Sequence, residues 1–286
     1  MASSGRFAAL GLFAGGCTGW LGWGVAQILI PGLPSMGCTP LQAGALSLCT
    51  LAGITSGSSL KFFESGQADI ARALALGVPA VVCAPIGAVA AGRVAGRTLQ
   101  IVFNTLTVIV MPAQALYFAR KIQQQNAAAA AGGEGVDTPS RLPPPSSLAG
   151  LAPLPPPPSA LESTKHAVFG GVLGFGSGFL GVAGLPFVVT WFAATSALSH
   201  QQCVGTTFLA CTPAVVVGSA AHMWSGNVPM AVLGPLTLGS LSGCYLGAAA
   251  HLATPVSVLQ GALAASFVLA GGRGALHLRR LLLSAK

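Results

Sequence analysis

Charge is what this sequence has least of. Of 286 residues, 13 are Lys or Arg and 5 are Asp or Glu, 6% in all. A soluble domain carries about 25% charged residues. So few charged side chains cannot coat a water-facing surface on a chain that is 53% hydrophobic, so the solvent is lipid. Acids are absent from the apolar stretches: Glu64, Asp69, Glu134, Asp137 and Glu162 all fall between them. A cation carrier or carboxylate proton relay wants an intramembrane acid, so anions and neutral solutes remain. Paired carboxylates, an HExxH run and a Ser-His-Asp arrangement are all missing, which speaks against an enzyme. No C-x-x-C occurs among the seven cysteines, most of which lie in apolar runs as small packing residues. No motif calls for a cofactor or metal. The net charge of +8 does not point to nucleic acid, because the basic residues sit between and after apolar stretches and not among stacking aromatics.

What is present is an apolar pattern written twice. A helix crossing a bilayer core of about 30 Å needs about 20 apolar residues. Eight stretches qualify: 7–33, 41–60, 70–91, 99–119, 167–193, 203–223, 228–251 and 256–276. Sliding residues 11–24, GLFAGGCTGWLGWG, forward by 159 sets Gly11, Gly15, Gly19 and Gly22 on Gly170, Gly174, Gly178 and Gly181. With a shift of 160, Ser65-Gly66 falls on Ser225-Gly226 and Leu99 on Leu259. The fold expected is all-α, a polytopic transmembrane helical bundle of about eight spans. It has two homologous four-segment halves, 1–121 and 165–286, each headed by a glycine-broken segment. Between them, 122–164 holds a glutamine run, an alanine run and nine prolines, the composition of a disordered tether. Arg6 before an apolar run resembles a leader peptide, but the same glycine pattern recurs at Gly170, so the stretch is read as mature structure.

If all eight stretches cross, eleven Lys and Arg fall on one side and two on the other; if each glycine-broken segment re-enters, the split is seven to six. The positive-inside rule then favours eight crossings, with both termini and the linker cytoplasmic. Which membrane holds the chain stays open, as does a homo-oligomer.

Glycines at i, i+4 and i+8 make one helix face that a second helix can approach closely, so Gly15, Gly19, Gly174 and Gly178 are read as packing. Both faces run into a break, at 22–24 and 181–184. A broken helix offers an anion free N–H groups and a positive dipole end. The candidate substrate site is therefore Gly22, Gly24, Gly181 and Gly184, facing each other near the midplane. Gln27 joins it as a polar residue just after the first break. Thr206, Thr207, Ser47 and Thr50 line the path or bond back to their own helices. His222 is either a protonatable anion contact or an interfacial residue beside Trp224.

The ordered set of these features resembles the TauE/SafE family of sulfite-exporter-like permeases over nearly the whole chain except the linker. Each half of that family opens with G-x-x-x-G-x-x-S-G-x-x-G-x-G-G-G, then Pro. Here the second copy reads GVLGFGSGFLGVAG, and the first is followed by Pro31. Later motifs match at Val204-Gly205-Thr206-Thr207, His222 and Gly226-Asn227-Val228. The chain departs at the triple glycine, which reads Gly24-Val25-Ala26 and Ala183-Gly184-Leu185, and at Phe62, where the second half has His222. The resemblance implies export or uptake of a small sulfur-containing anion such as sulfite or an organosulfonate. A membrane scaffold or assembly factor that keeps the fold without transporting is the alternative.

Overall fold

The computed structural model describes residues 4–283 except Trp23, Ser65 and 131–154. The described residues form helices: α1 Ser4–Leu21, α2 Ala26–Gly32, α3 Pro40–Glu64, α4 Ile70–Gly92, α5 Gly96–Ala130, α6 Ala160–Leu180, α7 Leu185–Thr195, α8 His200–Trp224, α9 Met230–Ala253 and α10 Val256–Leu283, with a 3-10 turn at Leu33–Met36. Five helical stretches among them are long and apolar enough to cross a membrane: Pro40–Leu60, Ile70–Gly92, Gly96–Gln124, His200–Trp224 and Met230–Gly247. On α4 the small residues Ala73, Gly77, Ala80, Ala84, Gly87 and Ala88 are buried, while Val78, Val82, Ile86 and Val89 face out. That polarity, small inside and branched outside, suits helices that pack closely in lipid. Helix intrudes on the expected 122–164 linker from both sides, through Ala130 and from Ala160.

The chain forms two compact units, and each sequence half contributes to both. One draws on 1–99 and 152–248, the other on 100–151 and 249–286. In the smaller unit α5 and α10 pack antiparallel, with Phe118 on Phe267 (ring centroids 6.1 Å) and Gly274 on Thr107.

The glycine faces organise the larger unit. Gly170, Gly174 and Gly178 of α6 lie so close to the backbone of Leu76, Ala80 and Ala84 on α4 that an added Cβ would overlap it. The numbers rise together, so α4 and α6 are parallel. Gly239, Gly243 and Gly247 of α9 meet Ala8, Leu12 and Gly16 of α1 in the same way, again parallel. At the centre α3 and α8 are antiparallel, joined by Ser59 Oγ to Thr212 Oγ1 (2.8 Å) and by Phe62 stacked on Phe208. Gly77 on Ala210 and Gly218 near Ala84 set α4 parallel to α8. Gly53 on Thr237 and Ser58 by Cys244 set α3 parallel to α9.

These directions correct two expectations. Residues 167–193 are not one broken span: α7 turns back along α6, stacking Trp191 on Phe169 (4.4 Å between centroids) and bringing Ser196 to Glu162. Residues 7–33 likewise turn back, with Gly32 of α2 beside Leu10 of α1. Each glycine-broken segment is a hairpin that ends where it began. The second correction follows from the first. In the larger unit Ser4 stands at the end where α3 and α9 start, and Ser159 at the opposite end, where α4 and α8 start. The N-terminus and the end of the linker, expected on one side, therefore stand at opposite ends of this unit. The charge count of eleven to two assumed crossings; two hairpins reduce it to seven against six, and the rule loses its leverage.

The backbone recurs along the chain. Among the described residues six of the seven left-handed glycines fall in pairs, Gly22 and Gly181 (φ 68° and 72°), Gly24 and Gly184 (83° and 64°), Gly66 and Gly226 (67° and 71°), while Gly37 (96°) stands alone. Thr39 with Gln42 and Ser199 with Gln202 form reciprocal caps at the starts of α3 and α8.

Candidate functional site

The break between α6 and α7 is built by two left-handed glycines. Gly181 closes α6, its N–H donating to Ser177 O, and Gly184 opens α7, whose first turn holds Pro186. Gly181 abuts Gly44 of α3 so tightly that a Cβ would run into the Gly44 backbone. The other hairpin comes to the same place: a Cβ on Gly24 would lie 3.9 Å from Leu185 Cδ1. Gly22, by contrast, has open space where its Cβ would be, although the residue is buried. Gln27 is buried in the first turn of α2.

Six buried hydroxyls among the described residues of this unit have no hydrogen-bond partner: those of Ser47, Thr50, Ser177 and Thr207, and those of Thr237 and Ser240 on α9. A buried polar group left unsatisfied costs about 1–3 kcal/mol, so each favours a ligand that would bond it. Ser47 lies one turn along α3 from Gly44, and Ser177 one turn before Gly181, so both flank the α6–α7 break. Ser177 escaped the sequence reading. It aligns with Thr18, whose hydroxyl instead donates to Ala14 O at 2.8 Å.

Thr206 and His222, expected in the site, are held elsewhere. Thr206 Oγ1 accepts the N–H of Asp69 at 2.9 Å and pins the start of α4 to α8. His222 is 1% exposed, not interfacial; its neighbour Trp224 is 94% exposed. One ring nitrogen, Nε2, lies 2.8 Å from Gly178 O, and the other, Nδ1, 3.4 Å from Asn227 Nδ2. The imidazole thus ties the last turn of α6 to α8 and acts on the break by positioning it.

At the Ser159 end lies a charged cluster that sequence reading placed in loops. Asp69 caps α4 and pairs with Arg72; Arg72 Nε donates to Glu162 Oε1 at 2.8 Å, and Nη2 donates to Pro156 O at 3.1 Å. Burial alone would raise the Glu162 carboxyl, but bonds from Arg72, Ser196 and His166 outweigh it and hold it below the ordinary range. Burial pushes His166 down, against the pull of Glu162. At the equivalent positions of the other half stand Phe7 for His166, Pro229 for Asp69 and Val232 for Arg72, so the cluster has no twin. Among the described residues no three His, Cys, Asp or Glu side chains converge as metal ligands would.

A family model described as sulfite exporter TauE/SafE matches residues 7–274. A curated relative, the "Probable membrane transporter protein YdhB" of Bacillus subtilis (strain 168), is 30% identical over 108 residues, which is 38% of this chain and 44% of the relative. The chain thus aligns with less than half of that relative's length. No solved structure matches.

Proposed function

Because the chain belongs to the sulfite exporter TauE/SafE family, we propose that it is a permease for a small anion, a sulfur oxyanion or organosulfonate, bound where two pseudo-symmetric halves bring their glycine breaks together. The recurrence of left-handed glycines and caps at a spacing of 159 or 160 residues supports an internal repeat. The opposed directions of α1 and α6 support an inverted one, the arrangement in which a substrate site sits at the repeat interface.

The observation that carries the reading is the meeting of Gly24 with Leu185 beside the orphaned hydroxyls of Ser47 and Ser177. The site then comprises Gly22, Gly24, Gln27, Gly181, Gly184 and Thr207, with Ser47 and Ser177 added. Thr206 and His222 serve it by holding α4 and α6. No acid lies there to repel an anion, and α7 presents the positive end of its dipole. Export needs no coupling ion: moving one charge through 100 mV is worth roughly 2.3 kcal/mol, about a 50-fold gradient for a monovalent anion leaving a negative interior.

The test is flux of sulfite, taurine and sulfate in proteoliposomes of the full chain. Transport above empty vesicles supports the permease. Absence of flux for every anion, in protein that remains folded, would favour the non-transporting scaffold.

A further inference from the structure

We propose that the site selects by charge: it admits a monovalent oxyanion and excludes the divalent form of the same shape. The inference rests on the permease reading above and concerns the same site.

The polar atoms at the α6–α7 break are all neutral. They are the buried, unpartnered hydroxyls of Ser47 and Ser177 and the backbone N–H of Leu185 that opens α7, since Pro186 has no N–H and those of Phe187 and Val188 donate to Gly184 O. No cation stands among them. Arg72 is the one buried Lys or Arg among the described residues, and Asp69 and Glu162 neutralise it at the Ser159 end. Lys61, whose side chain is not described, follows Ser47 by fourteen residues on α3, about 21 Å away. Arg93 is exposed beyond the end of α4. His222 comes nearest through Gly178, but with Nε2 on the carbonyl and Nδ1 facing the Asn227 amide nitrogen, its bonds are those of a neutral ring.

An anion entering such a site loses its water and gains only neutral donors. The cost of desolvating an ion rises with the square of its charge, roughly fourfold from one charge to two. The helix end contributes about half a unit charge, and hydroxyl and amide donors form charge-assisted bonds to each oxygen. These offset one charge on a tetrahedral or pyramidal ion. A second charge would require a side-chain cation, as it would a bidentate arginine in a dianion site.

The experiment uses the full chain in liposomes and follows sulfite flux, with leak through empty vesicles subtracted. Methanesulfonate, a monoanion throughout, and sulfate, a dianion throughout, serve as competitors of similar shape. Methanesulfonate is expected to inhibit more than about tenfold better than sulfate. Sulfite flux is expected to fall from mildly acidic to mildly alkaline buffer, as the ion loses its remaining proton, while methanesulfonate flux stays level. Current recorded with flux should give one charge per sulfur. Equal competition by sulfate, or two charges per sulfur, would overturn the proposal while leaving the permease intact. If neither anion moves above the leak, the permease reading falls, and this one with it.

Discussion

The indole N–H of Trp191 points at His166 Nδ1 from 2.8 Å. Since the indole can only donate, Nδ1 must accept, and the imidazole proton sits on Nε2, facing Glu162 Oε1 at 3.3 Å. This bond and the stacking of Trp191 on Phe169 clasp the open ends of the α6–α7 hairpin. The clasp sits far from the break, yet sets its position, because α7 is only 11 residues long.

The clasp is sensitive to acid. His166 is held below its ordinary value, burial being the main cause, and Glu162 is held below its own. For both groups the unfolded chain takes protons more readily than the folded one, so stability is full above the ordinary values and declines as pH falls through them toward the lowered ones. A proton added to His166 would also oppose the Trp191 N–H. Thermal melts of detergent-solubilised protein should lose stability as pH drops through the histidine range. His166→Phe should be less stable by about 1–2 kcal/mol at neutral pH and level across that range. A wild-type melt that does not respond to pH there would show that the clasp does not depend on neutral His166.

Gly22, not Gly181, is the residue with which to obstruct the site. A side chain at Gly181 would strike the Gly44 backbone, and one at Gly174 the Ala80 backbone. Gly174→Val and Gly181→Val are therefore both expected to unfold the packing. Gly22 has room for a side chain and pays only for its left-handed backbone, about 1–2 kcal/mol. Gly22→Val should fold, with a modestly lower melting temperature, and should reduce flux at least about tenfold. Normal flux through folded Gly22→Val would move the path away from this break.

The hairpins also make a topological prediction. A cysteine at Ser4 and another at Ser159, both exposed, should label from opposite sides of an oriented membrane, because α1 and α6 start at opposite ends of the larger unit. Labelling from the same side would mean that the segments cross after all.

Much of this was legible in the residues. Glycines four apart announced the faces that α6 and α1 press on α4 and α9, and the breaks at 22–24 and 181–184 lie where glycine clusters. The return of α2 and α7 was not legible, because 27 apolar residues satisfy a crossing helix as well as a hairpin. Only contacts such as Trp191 on Phe169 decide between them. Burial of Asp69 and Arg72 was equally hidden. It depends on Glu162 and Pro156, some 90 residues away, and a local reading sees only an acid and a base near a helix start. Thr18 and Ser177 show the limit at single positions: aligned and both buried, one bonds back to its own helix and the other does not.

That difference leads to the sharpest test of the site itself. A hydroxyl kept for stability has a partner, and removing it costs about 0.5–1.5 kcal/mol. Ser47 and Ser177 have none, so replacing either with Ala removes an unsatisfied group and should leave the melting temperature unchanged or raised. If their hydroxyls bond the anion, the same substitutions should weaken its binding by about 1 kcal/mol each, seen as a rise of about fivefold in the KM for flux. Thr206→Val is the control with the opposite signature. Its hydroxyl accepts from Asp69, so the change should lower stability by about 1–3 kcal/mol and leave KM near that of the unsubstituted chain. A Ser47→Ala protein that melts lower and transports with unchanged KM would place Ser47 with Thr206 among the residues that hold the bundle, and would remove α3 from the site.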